Sequence, residues 1–108
     1  MPLNDDKRRA PAVHRKIENV SEEDIRVSVI GTVVDKGESR VAVDDGTGTI
    51  EVVFDLSKDL DGFDESDLVR VVGRPSDGSM DGEVIQNFEG FDVDLYEEIL
   101  EKLGEFRS

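Results

Sequence analysis

The strongest constraint on the fold is the way valine recurs. Fifteen of the 108 residues are Val, and most sit in short stretches where apolar and polar positions alternate. A period of two puts alternate side chains on opposite faces of a strand, whereas a helix needs a period near 3.6. Val27, Val29 and Val33 alternate with Ser28 and Thr32, which predicts a first strand over 26–36, with Gly31 marking a bulge or sharp bend. Arg40-Val41-Ala42-Val43 reads as a second strand, and residues 49–54 as a third with Ile50, Val52 and Phe54 on one face. Leu68 to Arg74 is a fourth, stopped by Pro75, and Glu83 to Phe88 a fifth. Asp44-Asp45-Gly46-Thr47-Gly48 and the stretch Ser76 to Gly82 are rich in Asp and Gly, which tolerate the positive φ of tight hairpins. The polar connection 55–66 is expected to be pinned to the core by Leu56, Leu60 and Phe63.

The two ends differ from this pattern. Residues 1–15 are polar and basic, contain Pro2 and Pro11, and read as a flexible arm. Ile17 and Val20 flank a short helical turn, and Ser21 resembles an N-cap ahead of Glu22, Glu23 and Asp24. Near the other end, Asp94 with Glu97 three residues on predicts a capping pair. At about 100° per residue, Leu95, Tyr96, Ile99, Leu100, Leu103 and Phe106 fall on a stripe about 140° wide, with Glu97, Glu98, Glu101 and Glu105 opposite. One contact surface uses only part of so wide a stripe. The chain therefore divides into an arm (1–15), a barrel (16–91) and a C-terminal amphipathic helix (92–108). Five short strands, two tight hairpins and a longer third connection give an all-β class: a five-stranded Greek-key barrel of the OB type with a C-terminal α-helix. An SH3-like barrel is the rival by pattern.

Composition removes several chemistries. There is no Cys and one histidine, His14, so disulfides, thiol catalysis and the common zinc sites are excluded. His14 lies in the arm without a paired nucleophile and reads as solvated. Asp44-Asp45-Gly46 and Asp77-Gly78-Ser79-Met80-Asp81-Gly82 lack the ligand ladder of a calcium loop, and Gly46-Thr47-Gly48 lacks the Lys-Ser/Thr of a phosphate loop. No metal, no cofactor and no enzymatic activity are expected. No apolar run approaches the roughly 18 residues of a membrane span, and the charged N-terminus lacks an apolar signal segment, so a soluble intracellular protein with no membrane partner is expected.

The net charge is −14, from 27 acidic and 13 basic side chains. Residues 1–16 carry five basic against two acidic groups (+3), and residues 17–108 carry eight against 25 (−17). An acidic surface opposes the neutralisation of phosphates on which nucleic-acid affinity rests. It also repels itself, and concentrated salt screens that repulsion. A salt-rich cytoplasm is one expectation from this composition.

Several segments together carry a more specific signal. They are Arg9-Ala10-Pro11-Ala12-Val13-His14-Arg15-Lys16-Ile17, Arg26-Val27-Ser28-Val29-Ile30-Gly31, the Asp-Asp-Gly-Thr-Gly turn, Val69-Arg70-Val71-Val72-Gly73-Arg74, Glu83-Val84-Ile85-Gln86 and Phe91-Asp92-Val93-Asp94-Leu95-Tyr96. From about Arg8 to Phe106 the chain resembles the smallest subunit of replication protein A, the heterotrimeric single-stranded DNA-binding complex, most of all its archaeal form. The turn is shared by many OB domains; the arm, the Glu-Val-Ile-Gln strand and the terminal helix are more specific. The resemblance implies two other subunits as partners, joined through a bundle to which this chain contributes Leu95, Tyr96, Ile99, Leu100, Leu103 and Phe106. It implies a role in replication, repair and recombination, in the cytoplasm at the nucleoid or in a eukaryotic nucleus.

Whether the chain itself grips DNA is a separate matter. Single-strand binding uses a basic groove and aromatic platforms, which on an OB barrel lie on the second and third strands. The second strand has no aromatic residue, and the third offers only Phe54, whose alternation with Ile50 and Val52 favours the core. Basic candidates on the barrel are Lys36, Arg40, Arg70 and Arg74, which also have abundant carboxylates to pair with. The arm offers Lys7, Arg8, Arg9, Arg15 and Lys16, for phosphates or for the protein's own acidic surface. The expectation is a structural subunit with weak or no DNA binding alone, so that single-stranded DNA is met mainly through the complex. The alternatives are an autonomous OB module that binds single-stranded nucleic acid and an adaptor that recruits replication or repair enzymes.

Overall fold

A computed structural model describes residues 12–106. Among the described residues the strands are β1 (Val13–His14), β2 (Val27–Lys36), β3 (Arg40–Asp44), β4 (Thr49–Val53), β5 (Leu68–Ser76) and β6 (Ser79–Asn87). Ile17–Asn19 forms one 3-10 turn, and Val93–Lys102 forms the helix α1. The strand order is β2-β3-β4-β6-β5, and β5 pairs again with β2, so five strands close a barrel. Closure leaves no long free edge for another chain to extend. This is the OB-type barrel with a terminal helix that the sequence pattern predicts.

The alternation of valines explains the barrel. Val27, Val29, Val33, Val41, Val43, Val52, Val69 and Val71 all point inward and are buried, with Ile50, Met80 and Ile85 completing the layer. Burying one such side chain stabilises the fold by about 1.5 kcal/mol or more. Phe54, Leu60 and Ile17 close the core, and Phe63 packs against it. Leu56 does not: it is exposed, so the 55–66 connection is pinned at two of its three expected positions.

β2 serves both halves of the barrel. Its residues Val27 to Thr32 pair with β5, and Thr32 to Lys36 pair with β3. Gly31 sits at the changeover, where a Cβ would lie 2.7 Å from the Asp44 carbonyl oxygen. The register shift falls two residues later, between Val33 and Asp35. The close approach of β3, not a bulge at Gly31 itself, is what the glycine permits.

Three sequence expectations change. β5 runs through Pro75 to Ser76, because Pro75 lies beyond the last β2 pairing at Gly73 and faces β6 alone. β6 accordingly begins at Ser79, and the turn shrinks to Asp77 and Gly78, both at positive φ (48° and 82°), as in a type I′ hairpin. Val13 and His14, placed by sequence in the arm, form β1 and pair in parallel with Val27 and Ser28. The remaining residues of the arm up to Pro11, including Lys7, Arg8 and Arg9, lie outside the described residues.

Candidate functional site

Outside the barrel a second apolar layer supports α1. Ile30, Val72 and Phe88 are buried on the outer face of the sheet, flanked by Ser28 in register with Val72 and by Arg70 in register with Ile30. β1 and α1 cover this face. Tyr96 meets Phe88 edge-on with ring centroids 5.2 Å apart.

The centre of the seat is polar. His14 is 1% exposed, so the solvated histidine expected from sequence is a buried one. Glu97 can only accept, so the His14 Nε2–H donates to its Oε2 at 2.9 Å, and the free Nδ1 accepts from the Ser28 hydroxyl at 3.0 Å. The Lys16 ammonium donates to both Glu97 oxygens, at 3.1 and 3.2 Å. Burial lowers the His14 pKa below 6.5, and the nearby Lys16 and Arg70 charges push the same way, against the opposing pull of Glu97. The ring is therefore neutral at neutral pH. Glu97, which the helical period places on the solvent side with the other glutamates, is buried because it anchors the helix to His14 and Lys16.

The helix boundaries follow from their caps. Asp92 is the N-cap, its carboxylate accepting from the Leu95 N–H at 3.1 Å, which replaces the expected cap at Asp94. At the other end the Gly104 N–H reaches the Glu101 carbonyl and the Glu105 N–H the Leu100 carbonyl, with Gly104 at φ 77°. This is a Schellman motif, and glycine takes its left-handed position without a Cβ penalty. The chain then leaves the helix, so Phe106 is off the stripe. It bridges to His14 in parallel, their rings 4.8 Å apart, and the His14 N–H donates to the Glu105 carbonyl.

The six residues of the expected partner surface thus divide. Phe106 packs on β1, Tyr96 packs on the seat, and Leu100 is half-buried. Leu95, Ile99 and Leu103 point outward and are 52%, 48% and 64% exposed. Phe91, one residue before the N-cap, is 61% exposed and stacks on Phe88 with ring centroids 4.5 Å apart. Sequence reading missed Phe91 as a site residue, although its spacing of four from Leu95 repeats through Ile99 and Leu103. Exposed apolar rows of this kind mark interaction surfaces.

The barrel face on which an OB domain stacks bases is built differently. Its outward rows run Arg40, Val53, Asp81, Arg74 and then Ala42, Glu51, Ser79, Ser76 across β3, β4, β6 and β5. Arg40 lies 3.3 Å from both Asp35 and Glu51, and Arg74 lies 3.4 Å from Glu83, which also holds Arg26 at 2.7 Å. Lys36 ends β2 opposite Val41. Phe54, the one aromatic candidate on these strands, is 4% exposed and has no face to offer a base. The remaining candidates are scattered: Arg15 pairs with Asp24 at 2.9 Å, Lys16 with Glu97, and Arg70 donates to the Gln86 side chain at 2.9 Å. The structure brings them into no single basic groove among the described residues.

The acidic turn 44–48 has its carboxylates hydrogen-bonded within the chain. Asp44 accepts from the Gly46 N–H, and Asp45 accepts from Ile17, Thr47 and the Thr47 hydroxyl. Burial raises the Asp45 pKa, but these donors outweigh it and hold the carboxyl below the usual carboxylate range. Among the described residues no three His, Cys, Asp or Glu side chains group as metal ligands. No helix among them is long and apolar enough to cross a membrane.

No protein-family model and no curated protein matches this sequence. Solved structures do. A chain of the S. pombe Stn1–Ten1 complex is 14% identical over 88% of this chain and 93% of that one, with a TM-score of 0.71. A chain of the U. maydis replication protein A bound to single-stranded DNA is 18% identical over 89% and 92%, with a TM-score of 0.63. A chain of a replication protein A heterotrimer bound to single-stranded DNA is 22% identical over 76% and 75%, with a TM-score of 0.57. At these identities the likeness establishes the OB fold, whose functions vary between its members.

Proposed function

We propose that this chain is the small OB-fold subunit of a replication protein A-like complex that binds single-stranded DNA. It holds the assembly together through α1 and adds little DNA affinity of its own. The observation that carries this reading is the outward row Leu95, Ile99 and Leu103 on a helix already anchored from behind by Glu97. The barrel face supports it from the other side, since its guanidinium groups already face carboxylates and it presents no exposed aromatic ring. The kinds of assembly named for the similar structures, Stn1–Ten1 and a heterotrimer on single-stranded DNA, agree with it. The reading assigns no catalysis, and it places the chain wherever the chromosome is replicated or repaired.

The test is purification of the tagged chain from its own cells, beside the triple variant Leu95→Glu, Ile99→Glu, Leu103→Glu. The native chain is expected to bring down further OB-fold subunits in fixed stoichiometry, and the variant none. An intact complex with the variant defeats the reading. A second reading, a two-subunit assembly, is favoured by the 0.71 score against a chain of the Stn1–Ten1 complex; one partner instead of two in the purified complex selects it.

A further inference from the structure

Four of the five arginines among the described residues, Arg15, Arg26, Arg40 and Arg74, each face a carboxylate. Arg70 does not. In a chain with 27 acidic side chains its guanidinium is held by the neutral Gln86, whose Oε1 accepts from Nη1 at 2.9 Å. Its Nε–H is buried with no acceptor among the described residues. A guanidinium only donates and keeps its charge, so this one is short of acceptors. Its surroundings share the shortage. Arg70 lines a cleft of about 400 Å³ with Gln86, Asn87, Phe88, Phe91 and Tyr96. The Gln86 amide oxygen is engaged by Arg70, and that of Asn87 by the Glu89 N–H at 2.9 Å. Both of these partners only donate, which fixes the two amides and leaves their nitrogens free to donate. The polar rim is therefore rich in N–H groups. The floor is aromatic: Phe91 stacks on Phe88 by one face and is 61% exposed, and Tyr96 meets Phe88 edge-on.

We propose that this cleft binds a short protein segment in which an Asp or Glu stands beside a large apolar side chain. The carboxylate takes the Arg70 guanidinium and the amide N–H groups, and the apolar side chain lies on the open face of Phe91. The site uses none of Leu95, Ile99 and Leu103, so it goes beyond the assembly reading. An ionised carboxylate is planar and only accepts, which matches a donor rim and a guanidinium fork. Phosphate accepts as well, but single-stranded nucleic acid brings a charge with every nucleotide. It brings them to a chain of net charge −14, with Glu89 and Asp92 exposed on either side of Phe91 in sequence. A segment with a single carboxylate supplies the acceptor with the least repulsion.

The full chain labelled with nitrogen-15 tests this by NMR titration with three Gly/Ser peptides of equal length. Their central pairs are Phe-Asp, Phe-Asn and Ala-Asp. The Phe-Asp peptide is expected to shift the Arg70 side-chain N–H and the Phe91 amide, and to bind about tenfold tighter than either of the others. Arg70→Gln and Phe91→Ala are each expected to weaken it about tenfold. Circular dichroism checks that both fold, and Phe91→Ala, at an exposed position, decides the matter if Arg70→Gln does not. Equal binding of the Phe-Asp and Phe-Asn peptides overturns the proposal, and so does the absence of any shift at millimolar peptide. Binding that Leu95→Glu abolishes puts the peptide on α1 and overturns it too. If oligo-dT shifts the same two signals at lower concentration than the Phe-Asp peptide, the cleft is a nucleic-acid site and the peptide reading is wrong.

Discussion

The outer face of β3, β4 and β6 and the outer face of α1 are both solvent-exposed, yet they are finished to different degrees. On the barrel face Arg40 and Arg74 lie against Asp35, Glu51 and Glu83, so a phosphate would have to compete with carboxylates already in place. On α1 the back of the helix is fixed by His14, Lys16 and Tyr96, while Leu95, Ile99 and Leu103 are about half or more exposed among the described residues. The difference teaches that exposure alone says little about a binding face. The informative quantity is whether the exposed groups have already found partners of their own kind.

The comparison breaks most readily at α1. Leu95→Glu with Ile99→Glu and Leu103→Glu is expected to weaken assembly by about a thousandfold, while urea unfolding of the isolated chain moves by no more than about 0.5 kcal/mol. A large loss of stability instead would mean that these side chains pack within the chain. Next in size is His14→Ala, which takes the buried partner from the Ser28 hydroxyl and leaves Glu97 with Lys16 alone. About 3 kcal/mol of stability should be lost in the same measurement, and the helix should fray first by hydrogen exchange.

Acid sharpens the same point. The folded His14 has a pKa below the ordinary 6.5, so the unfolded chain takes up the proton first as pH falls. Stability is full above about 6.5 and declines as pH drops towards the folded value, and His14→Gln should flatten that decline. A second loss, below the ordinary 3.8 of a carboxyl, belongs to Asp45, whose folded pKa is also depressed. Chemical unfolding followed at successive pH values separates the two steps.

Smaller effects are expected from the surface. Raising KCl from about 0.1 to 1 M should stabilise the chain by about 1 kcal/mol by screening its excess carboxylates, as suits a salt-rich cytoplasm. Stability that stays flat with salt would reject that explanation of the acidity. Smallest of all, Arg40→Gln should cost less than about 0.5 kcal/mol and leave oligo-dT anisotropy unchanged. Loss of a measurable oligo-dT affinity in that variant would mean that the barrel face is a DNA site after all.

Most of the barrel was legible because a period of two, read against Asp-Gly turns, has few other solutions. Val27, Val29 and Val33 of β2, and Ile50, Val52 and Phe54 in and just after β4, lie where alternation puts them. The helix stripe was legible too, including its excess width, which divides between the seat and the outward row. What escaped was decided by long-range contact. Glu97 looks like any other glutamate on the wheel, and His14 like any residue of a polar arm. Only the fold brings them within 2.9 Å across 83 positions. A helical wheel has no terminator and so includes Phe106, whereas Gly104 ends the helix two residues earlier.

The His14–Glu97 bond has a consequence in time. It closes a loop of 83 positions, and contacts of such separation form late because the entropy of bringing the ends together must be met first. During synthesis the last barrel strand ends ten residues before Glu97, so the barrel strands are made while His14, Ser28 and Phe88 still wait for their cover. A nascent chain halted before residue 97 would display that unfinished seat as a sticky surface. The helix is thus the latch on the molecule's own folding before it is a handle for anything else.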